Sequence, residues 1–445
     1  MSEREQRLSP PADLEEARAR MAAAPIPPAI MAVLQTLDKA GFHGVVVGGA
    51  VRDALLGQGE GDWDVASNAT PEEVTQLFPR TIPTGIEHGT VTVLSGRGDE
   101  RHAVELTTFR GEGAYHDGRR PSEVRFLREL TEDLARRDLT INAFAWDPVK
   151  GVFTDAFGGL EDLRARLIRA VGDPVQRFAE DGLRTMRAVR FAASMGFRLA
   201  PETEAAIAGA LEVFDKVSRE RVRVELVKLL ATARPSLGLR PMAVTGLWSR
   251  VLAPLAEPVL EEAIAAVDRL PRRPTLRLAR LLWPIRAERA EVEAIIEALR
   301  PSREERARVL GLTAEGVDEL AAALDAQGED DAGTDADADA DDGRGAALRR
   351  AAAELGRGLL DDAQDLLELD AAARAELAAA LEGAALSPKE LALKGRDLIS
   401  AGVAAPGPAL GELLEQLFDW VLEAPERNTS EALLARARAM MAGEG

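Results

Sequence analysis

Apolar positions along this chain keep two different rhythms, and the change falls near residue 158. Residues 29–40 (AIMAVLQTLDKA) carry apolar side chains at helical spacing and stop at Gly41. From there to Trp146, short runs suited to strands alternate with helix-like pieces. The strand candidates are 45–47, 62–66, 90–94, 102–108 and 123–127. Thr70 reads as an N-cap, with Pro71 at the first helical position and Glu72 and Glu73 in the first turn. After Gly158-Gly159 the strand signals almost vanish. Helical periods then run through 161–169, 177–196, 202–214, 219–232, 236–248, 257–268, 275–284, 289–299, 302–311 and 314–325. Helical pattern resumes over 346–381 and, for the most part, over 387–441. The pattern predicts an α+β protein, a small mixed-sheet head followed by an all-helical remainder. Residues 1–28 read as a solvated lead-in with one short helix over 15–21.

Length and composition bound this picture. A chain of 445 residues makes about three domains at roughly 150 residues each. No apolar stretch approaches the roughly 20 residues that span a bilayer, so no membrane partner is expected. With no cysteine, disulfides and thiolate metal sites are excluded, and a cytoplasmic protein is the expectation. The net charge of -20 argues against a polyanionic partner, but it is unevenly spread. Residues 325–342 hold nine acidic residues and no basic one, whereas residues 101–230 hold 22 Lys and Arg against 21 Asp and Glu. The acidic Ala/Asp/Gly segment, 326–345, cannot bury a core and is expected to be a disordered linker.

Chemistry concentrates in three places. In VVVGGAVRDALLGQGEGDWD, residues 45–64, an apolar strand breaks at Gly48-Gly49 into a helix carrying Arg52 in its first turn. Glycines let backbone N–H groups approach an anion, the helix start adds partial positive charge, and Arg52 can pair with a phosphate oxygen. Asp62 and Asp64 flank Trp63, and a strand period of two puts both carboxylates on one face, a spacing that holds hard divalent cations. Taken alone, such a pair is also common in surface turns. Glu105, between apolar neighbours, is either a third acid of a two-metal site or an edge-strand acid paired with an arginine such as Arg110. The second cluster, Asp133 to Asn142, holds Arg136, Arg137 and Asp138; it is either an exposed charge patch or a triphosphate and ribose contact. The third, residues 177–197, repeats Asp181, Arg184, Arg187 and Arg190 every three residues. Asp181 and Arg184 could form one polar helix edge able to match a base, or a plain surface ion pair.

Together these segments resemble the class II tRNA nucleotidyltransferases, the CCA-adding enzymes and bacterial poly(A) polymerases of the polymerase-beta-like nucleotidyltransferase superfamily. The resemblance rests on GGAVRDALLG with DWD, TGIEHGTVTVL with VELTTFR, EDLARRDLTINAFAWDP, DAFGGLEDL, EDGLRTMRAVRFAASMGF and RERVRVELVKLL, in the family's order across residues 40–232. It implies a nucleotidyltransferase head (29–157), a base-recognising neck (158–232), a body (233–325) and, after the linker, a tRNA-binding tail (346–445). It implies that Gly48, Gly49 and Arg52 hold the incoming triphosphate and that Asp62 and Asp64 bind Mg2+ at a two-metal site. Arg136, Arg137 and Asp138 fall on its RRD motif, with Asp138 at the ribose 2'-hydroxyl. Glu180, Asp181 and Arg184 fall on its base-reading motif, where Asp181 and Arg184 pair with CTP or ATP as a protein template. Arg187 and Arg190 fit positions that hold phosphate or the same helix. The implied reaction adds CCA to the 3' end of tRNA from CTP and ATP, releasing pyrophosphate.

Within the family, poly(A) polymerases carry a basic stretch resembling RRFRLVHV, where this chain reads RTIPTGIEHGTVTVL. The last block, from LALKGRDLIS onward, resembles the tRNA-binding tail of CCA-adding members. The loop from Arg110 to Pro121 resembles the flexible loop of enzymes able to add the terminal A. The first two features favour tRNA over polyadenylation, and the loop favours full CCA addition over addition of CC alone, with A-only addition as the alternative; intact Gly48, Gly49, Asp62 and Asp64 speak against a non-catalytic RNA-binding protein. An HD phosphohydrolase domain is not expected, because all four histidines lie at or before His116.

Overall fold

The computed structural model describes residues 9–58, 61–85, 89–96, 102–112, 124–252, 257–326 and 338–442. The chain divides into two compact units, Met1–Ala256 and Glu257–Gly445. The first begins with α1 (Leu14–Ala22), α2 (Pro28–Lys39), β1 (Gly44–Val47), α3 (Gly49–Leu55), β2 (Asp64–Ser67) and α4 (Pro71–Leu77). Then come β3 (Thr81–Gly85), β4 (Thr90–Ser95), β5 (His102–Thr108), β6 (Arg110–Glu112), β7 (Val124–Phe126), α5 (Leu130–Ala135), β8 (Phe144–Asp147) and β9 (Val152–Asp155). Seven of these strands form one mixed sheet in the order β3-β4-β5-β2-β1-β8-β9. The β2–β5 pair is parallel and the other neighbours are antiparallel. Strand β1 lies inside the sheet with all four residues buried, as an uninterrupted valine run requires.

Helices follow the head: α6 (Gly159–Ala165), α7 (Pro174–Glu180) and α8 (Leu183–Met195). Helices Arg219–Leu230 and Ser236–Val244 pack against α8. The single helix expected over 177–196 is broken at Asp181-Gly182. Asp181 is extended, with φ at -147°, and its carboxylate accepts the N–H of Leu183 at 3.0 Å, which starts α8 afresh. The chain is pinched at Gly182, where a Cβ would fall 2.6 Å from the backbone of Phe214. Asp181 and Arg184 therefore do not form the one helical edge that the three-residue spacing predicted.

Three other expectations are corrected. Strand β2 begins at Asp64, so Asp62 precedes the sheet; its ladder with β1 starts at the pair Val47 and Asp64. The lead-in over 1–28 is partly docked: α1 is capped by Asp13, and Ala17 and Met21 are buried. Arg20 donates to the carbonyls of Ser9 (2.6 Å) and Leu55 (2.7 Å), which ties α1 to the end of α3. Finally, a helix over Ala338–Leu355 begins inside the stretch expected as linker. Arg344 donates to the carbonyls of Leu324 (2.8 Å) and Ala326 (2.7 Å) and so fixes the helix in place. Residues 327–337, the rest of that stretch, lie outside the described residues, as does most of the Arg110 to Pro121 loop.

Among its described residues the second unit is helical. One of its cores gathers Leu391, Leu398, Leu413, Leu417, Val421 and Leu433. Among the described residues, no helix is long and apolar enough to cross a membrane.

Candidate active site

Gly48 closes β1 and opens α3 with φ at +79° and ψ at -138°, a conformation that favours glycine. Its N–H donates to Phe144 O at 3.1 Å and holds the loop to β8. A Cβ here would lie 2.9 Å from Arg137 Nη1, so the missing side chain leaves space for a guanidinium against backbone. Arg52 is buried and already engaged. Its Nε and Nη2 donate to Asp53 at 2.9 and 3.0 Å, and its Nη1 donates to Asn142 Oδ1.

Asp62 and Asp64 are exposed on either side of the buried Trp63, so the alternation expected from sequence is present even though the strand starts later. The parallel ladder between β2 and β5 begins at Val65 and Leu106, which sets Asp64 beside Glu105 on the adjoining strand. The three acids line a cavity of about 440 Å³ together with His102 and Ile30. Partial desolvation by its neighbours, then the charge of Glu105, pushes the Asp64 carboxyl above its ordinary range, with Arg137 opposing. Negative charge here is under-compensated by the protein, a condition that a divalent cation relieves. Among the described residues, no three His, Asp or Glu side chains converge closely enough to form a metal cage. One or two carboxylates completed by water and phosphate oxygens is the usual donor set for Mg2+, and Asp62 with Asp64 fits it.

Opposite this acidic edge stands the RRD cluster. Asp133 is buried and accepts Arg136 Nη2 at 2.7 Å and Arg137 Nη2 at 3.4 Å. Burial pushes the Arg137 pKa down against the pull of Asp133. Arg137 Nη1 also donates to Asn142 O at 3.4 Å. Asp138 accepts Leu139 N–H (2.9 Å), Asn142 Nδ2 (3.3 Å) and Arg187 Nε (2.7 Å). Burial alone would raise its pKa; the charge and hydrogen bond of Arg187, aided by Asn142, outweigh that and hold Asp138 below the ordinary carboxylate range. The RRD run is thus not an exposed charge patch.

The helical segment supplies the third side. Glu180 accepts Arg177 Nη1 at 2.6 Å and also Arg184 Nη1. Arg184 Nη2 reaches back to the carbonyl of Arg136 at 3.0 Å, linking α8 to the RRD cluster. Asp181 pairs instead with Arg221 Nη2 at 2.8 Å. Arg190 Nε donates to the buried Glu225 at 2.5 Å; burial lowers its pKa, while the charge of Asp138 raises that of Arg187. Phe191 lies among three guanidiniums, with those of Arg190, Arg52 and Arg187 at 3.9, 5.2 and 5.6 Å from its ring centre.

All thirteen candidate residues therefore fall around the head and α8: the glycine loop with Arg137, Asp62 and Asp64 with Glu105, and Asp138 with Arg187. Asn142, Phe191, Arg221 and Glu225 were missed as site residues. Asn142 lies inside EDLARRDLTINAFAWDP, Arg221 and Glu225 inside RERVRVELVKLL, and Phe191 inside EDGLRTMRAVRFAASMGF, four residues after Arg187 and so on the same helix face.

A mixed sheet that feeds a glycine loop and presents one acid at the start of the adjoining strand and another two residues before it defines a nucleotidyltransferase head joined to helices. Residues 45–169 match the poly A polymerase head domain, and residues 196–261 match the family described as a probable RNA and SrmB-binding site of polymerase A. A CCA-adding enzyme of Pediococcus pentosaceus is 35% identical over 413 residues, covering 91% of this chain and 95% of that protein. The chain belongs to the CCA-adding enzyme family. The CCA-adding enzyme of Levilactobacillus brevis is 51% identical over 216 residues, a match that spans 48% of this chain and 53% of that relative. The crystal structure of the Bacillus stearothermophilus CCA-adding enzyme in complex with CTP superposes with a TM-score of 0.69 at 29% identity, covering 94% and 99% of the two chains.

Proposed function

We propose that this protein adds CCA to the 3' end of tRNA from CTP and ATP, releasing pyrophosphate. The observation that carries this reading is Arg137, which lies against the Gly48 backbone and also faces the charge of Asp64. One guanidinium thereby joins a phosphate loop to a metal-binding acid pair. In the reaction, the 3'-hydroxyl of tRNA attacks the α-phosphate in line and the bond to pyrophosphate breaks. Asp62 and Asp64 would hold Mg2+, which when bound lowers the pKa of the hydroxyl and neutralises charge on the leaving group. Glu105, beside Asp64, adds its negative charge to the same edge and would help to hold the metal.

The rest is positioning by the chain itself. Gly48 and Gly49 let the triphosphate approach backbone, with Arg137 alongside and Arg52 fixed beneath by Asp53 and Asn142. Asp138, kept ionised, accepts a hydrogen bond from the ribose 2'-hydroxyl. Asp181, steadied by Arg221, and Arg184, steadied by Glu180, offer an acceptor and donors to the base edge. In this reading residues 29–157 are the head and residues 158–232 the neck. Residues 233–325 and 346–445 serve as body and tRNA-binding tail, and the protein acts in the cytoplasm.

The test is nucleotide incorporation with Mg2+ into a tRNA lacking CCA and into an unrelated RNA, with CTP and ATP supplied separately. Wild type should extend only the tRNA and use both nucleotides, while Asp62→Ala and Asp64→Ala should lose incorporation and keep tRNA binding. Near-normal turnover in either variant would remove the acid pair from the chemistry. Extension of the unrelated RNA with ATP alone would turn the assignment to polyadenylation.

A further inference from the structure

We propose that Phe191 is a positioning residue that locks the two ends of the nucleotide site to each other, a role that rests on the nucleotide-site reading given above. The head supplies Arg52 beneath the glycine loop and Asp138 at the ribose position; α8 supplies Arg187 and Arg190. Their three guanidiniums converge on the Phe191 ring, at 3.9 to 5.6 Å from its centre. Each of the three also has its own acid: Asp53 for Arg52, Asp138 for Arg187 and Glu225 for Arg190.

Like charges brought this close repel, and nothing in the ion pairs themselves requires the three to meet. The buried π face provides the reason, since its negative quadrupole attracts a guanidinium lying over the ring, most strongly where water is excluded. Phe191 is itself 8% exposed. Taking the face away leaves each guanidinium free to follow its own carboxylate. Arg52 then slackens under the loop, and Arg187 no longer holds the Asp138 carboxylate at a fixed distance from it. Phosphate binding and ribose reading lose their common reference together, although Phe191 touches neither group.

The predicted signature is therefore coupled. Phe191→Leu keeps an apolar side chain and loses the ring; Phe191→Met, which also lacks the ring but flexes to fill space, serves as second variant; Phe191→Tyr keeps the face. The leucine and methionine variants should raise KM for both CTP and ATP by about tenfold, equivalent to about 1.4 kcal/mol, and should accept dATP and dCTP several-fold more readily than wild type. The tyrosine variant should restore both parameters. Asp62→Ala is measured in parallel. If the leucine and methionine variants lose thermal stability while KM and ribose preference stay at wild-type values, Phe191 is packing only and the proposal is wrong. The proposal also fails if Phe191→Tyr behaves like Phe191→Leu. Should Asp62→Ala retain incorporation, the nucleotide-site reading itself has failed, whatever Phe191 does.

Discussion

Replacing Asp138 by asparagine tests the centre of the site, because this carboxylate joins the head to α8. Its two oxygens accept Leu139 N–H, Asn142 Nδ2 and Arg187 Nε at 2.9, 3.3 and 2.7 Å. An asparagine can keep one acceptor, but its amide nitrogen then points a donor at another donor. Arg187 is left without its acid. Breaking a fully buried ion pair costs about 3–5 kcal/mol, yet the Arg187 side chain keeps 35% of its surface in solvent. Screening reduces the expected loss to about 1.5–3 kcal/mol. Urea unfolding followed by tryptophan fluorescence measures it. The pH dependence has a definite sign. The Asp138 pKa is lowered in the folded state, so its contribution is complete above the unfolded value of about 3.9 and fades as pH falls through the folded value. Wild type and Asp138→Asn should thus differ most at neutral pH and converge in strong acid. In the incorporation assay, the variant should lose about tenfold or more of its preference for ribo- over deoxyribonucleotides. A variant within about 0.5 kcal/mol of wild type that still selects ribose would refute both the structural and the substrate role.

The remaining expectations follow from single contacts. Gly48→Ala forces a side chain into a positive-φ position, at about 1–2 kcal/mol, and drives its Cβ towards Arg137; kcat/KM for CTP should fall at least about tenfold, and an unchanged value would mean that loop and guanidinium do not meet. Arg221→Ala frees Asp181 from a half-exposed pair worth about 0.5–1 kcal/mol, so discrimination between CTP and ATP should erode two- to fivefold on the order-of-magnitude conversion of that energy; unaltered discrimination would detach Arg221 from base selection. Arg20→Ala removes the donor that bridges Ser9 and Leu55, and the midpoint of thermal unfolding should drop by about 2–4 °C. No shift would indicate that α1 is held by Ala17 and Met21 alone.

Much of the head could be read from sequence because its signals are local. The valine run, the glycine pair and the capped helix at Thr70 each declare themselves within a few residues. Strand β8 did not, because Phe144 to Asp147 are all buried and show no alternation. Its Asp147 would argue against a core strand, but His43 and Lys150 pair with it. The helix break at Asp181 was equally hidden. It depends on a close approach to Phe214, and nothing in the three-residue spacing of Asp181, Arg184, Arg187 and Arg190 records that contact. The three chemical clusters were legible one by one, whereas their junctions were not. Asp181 meets Arg221 forty positions away, and Asp138 meets Arg187 across forty-nine. Such pairings are properties of the packed chain. The acidic segment misled in the other direction, since composition reports what cannot form a core and is silent on where a helix such as Ala338–Leu355 begins.

The hydrogen bond between Arg52 and Asn142 spans ninety residues of sequence, and this has a consequence for how the protein is made. A ribosome that has released the glycine loop has not yet synthesised Phe144, Asn142 or Arg137, which hold that loop in shape, and Phe191 and Glu225 come later still. Domains form as their segments emerge, N-terminal parts first, and contacts of long sequence separation close late. The glycine loop of a nascent chain therefore lacks its partners until about a third of the protein has left the tunnel. Fragments that stop short of Asn142 lack the partners of that loop and should bind nucleotide more weakly than the finished protein.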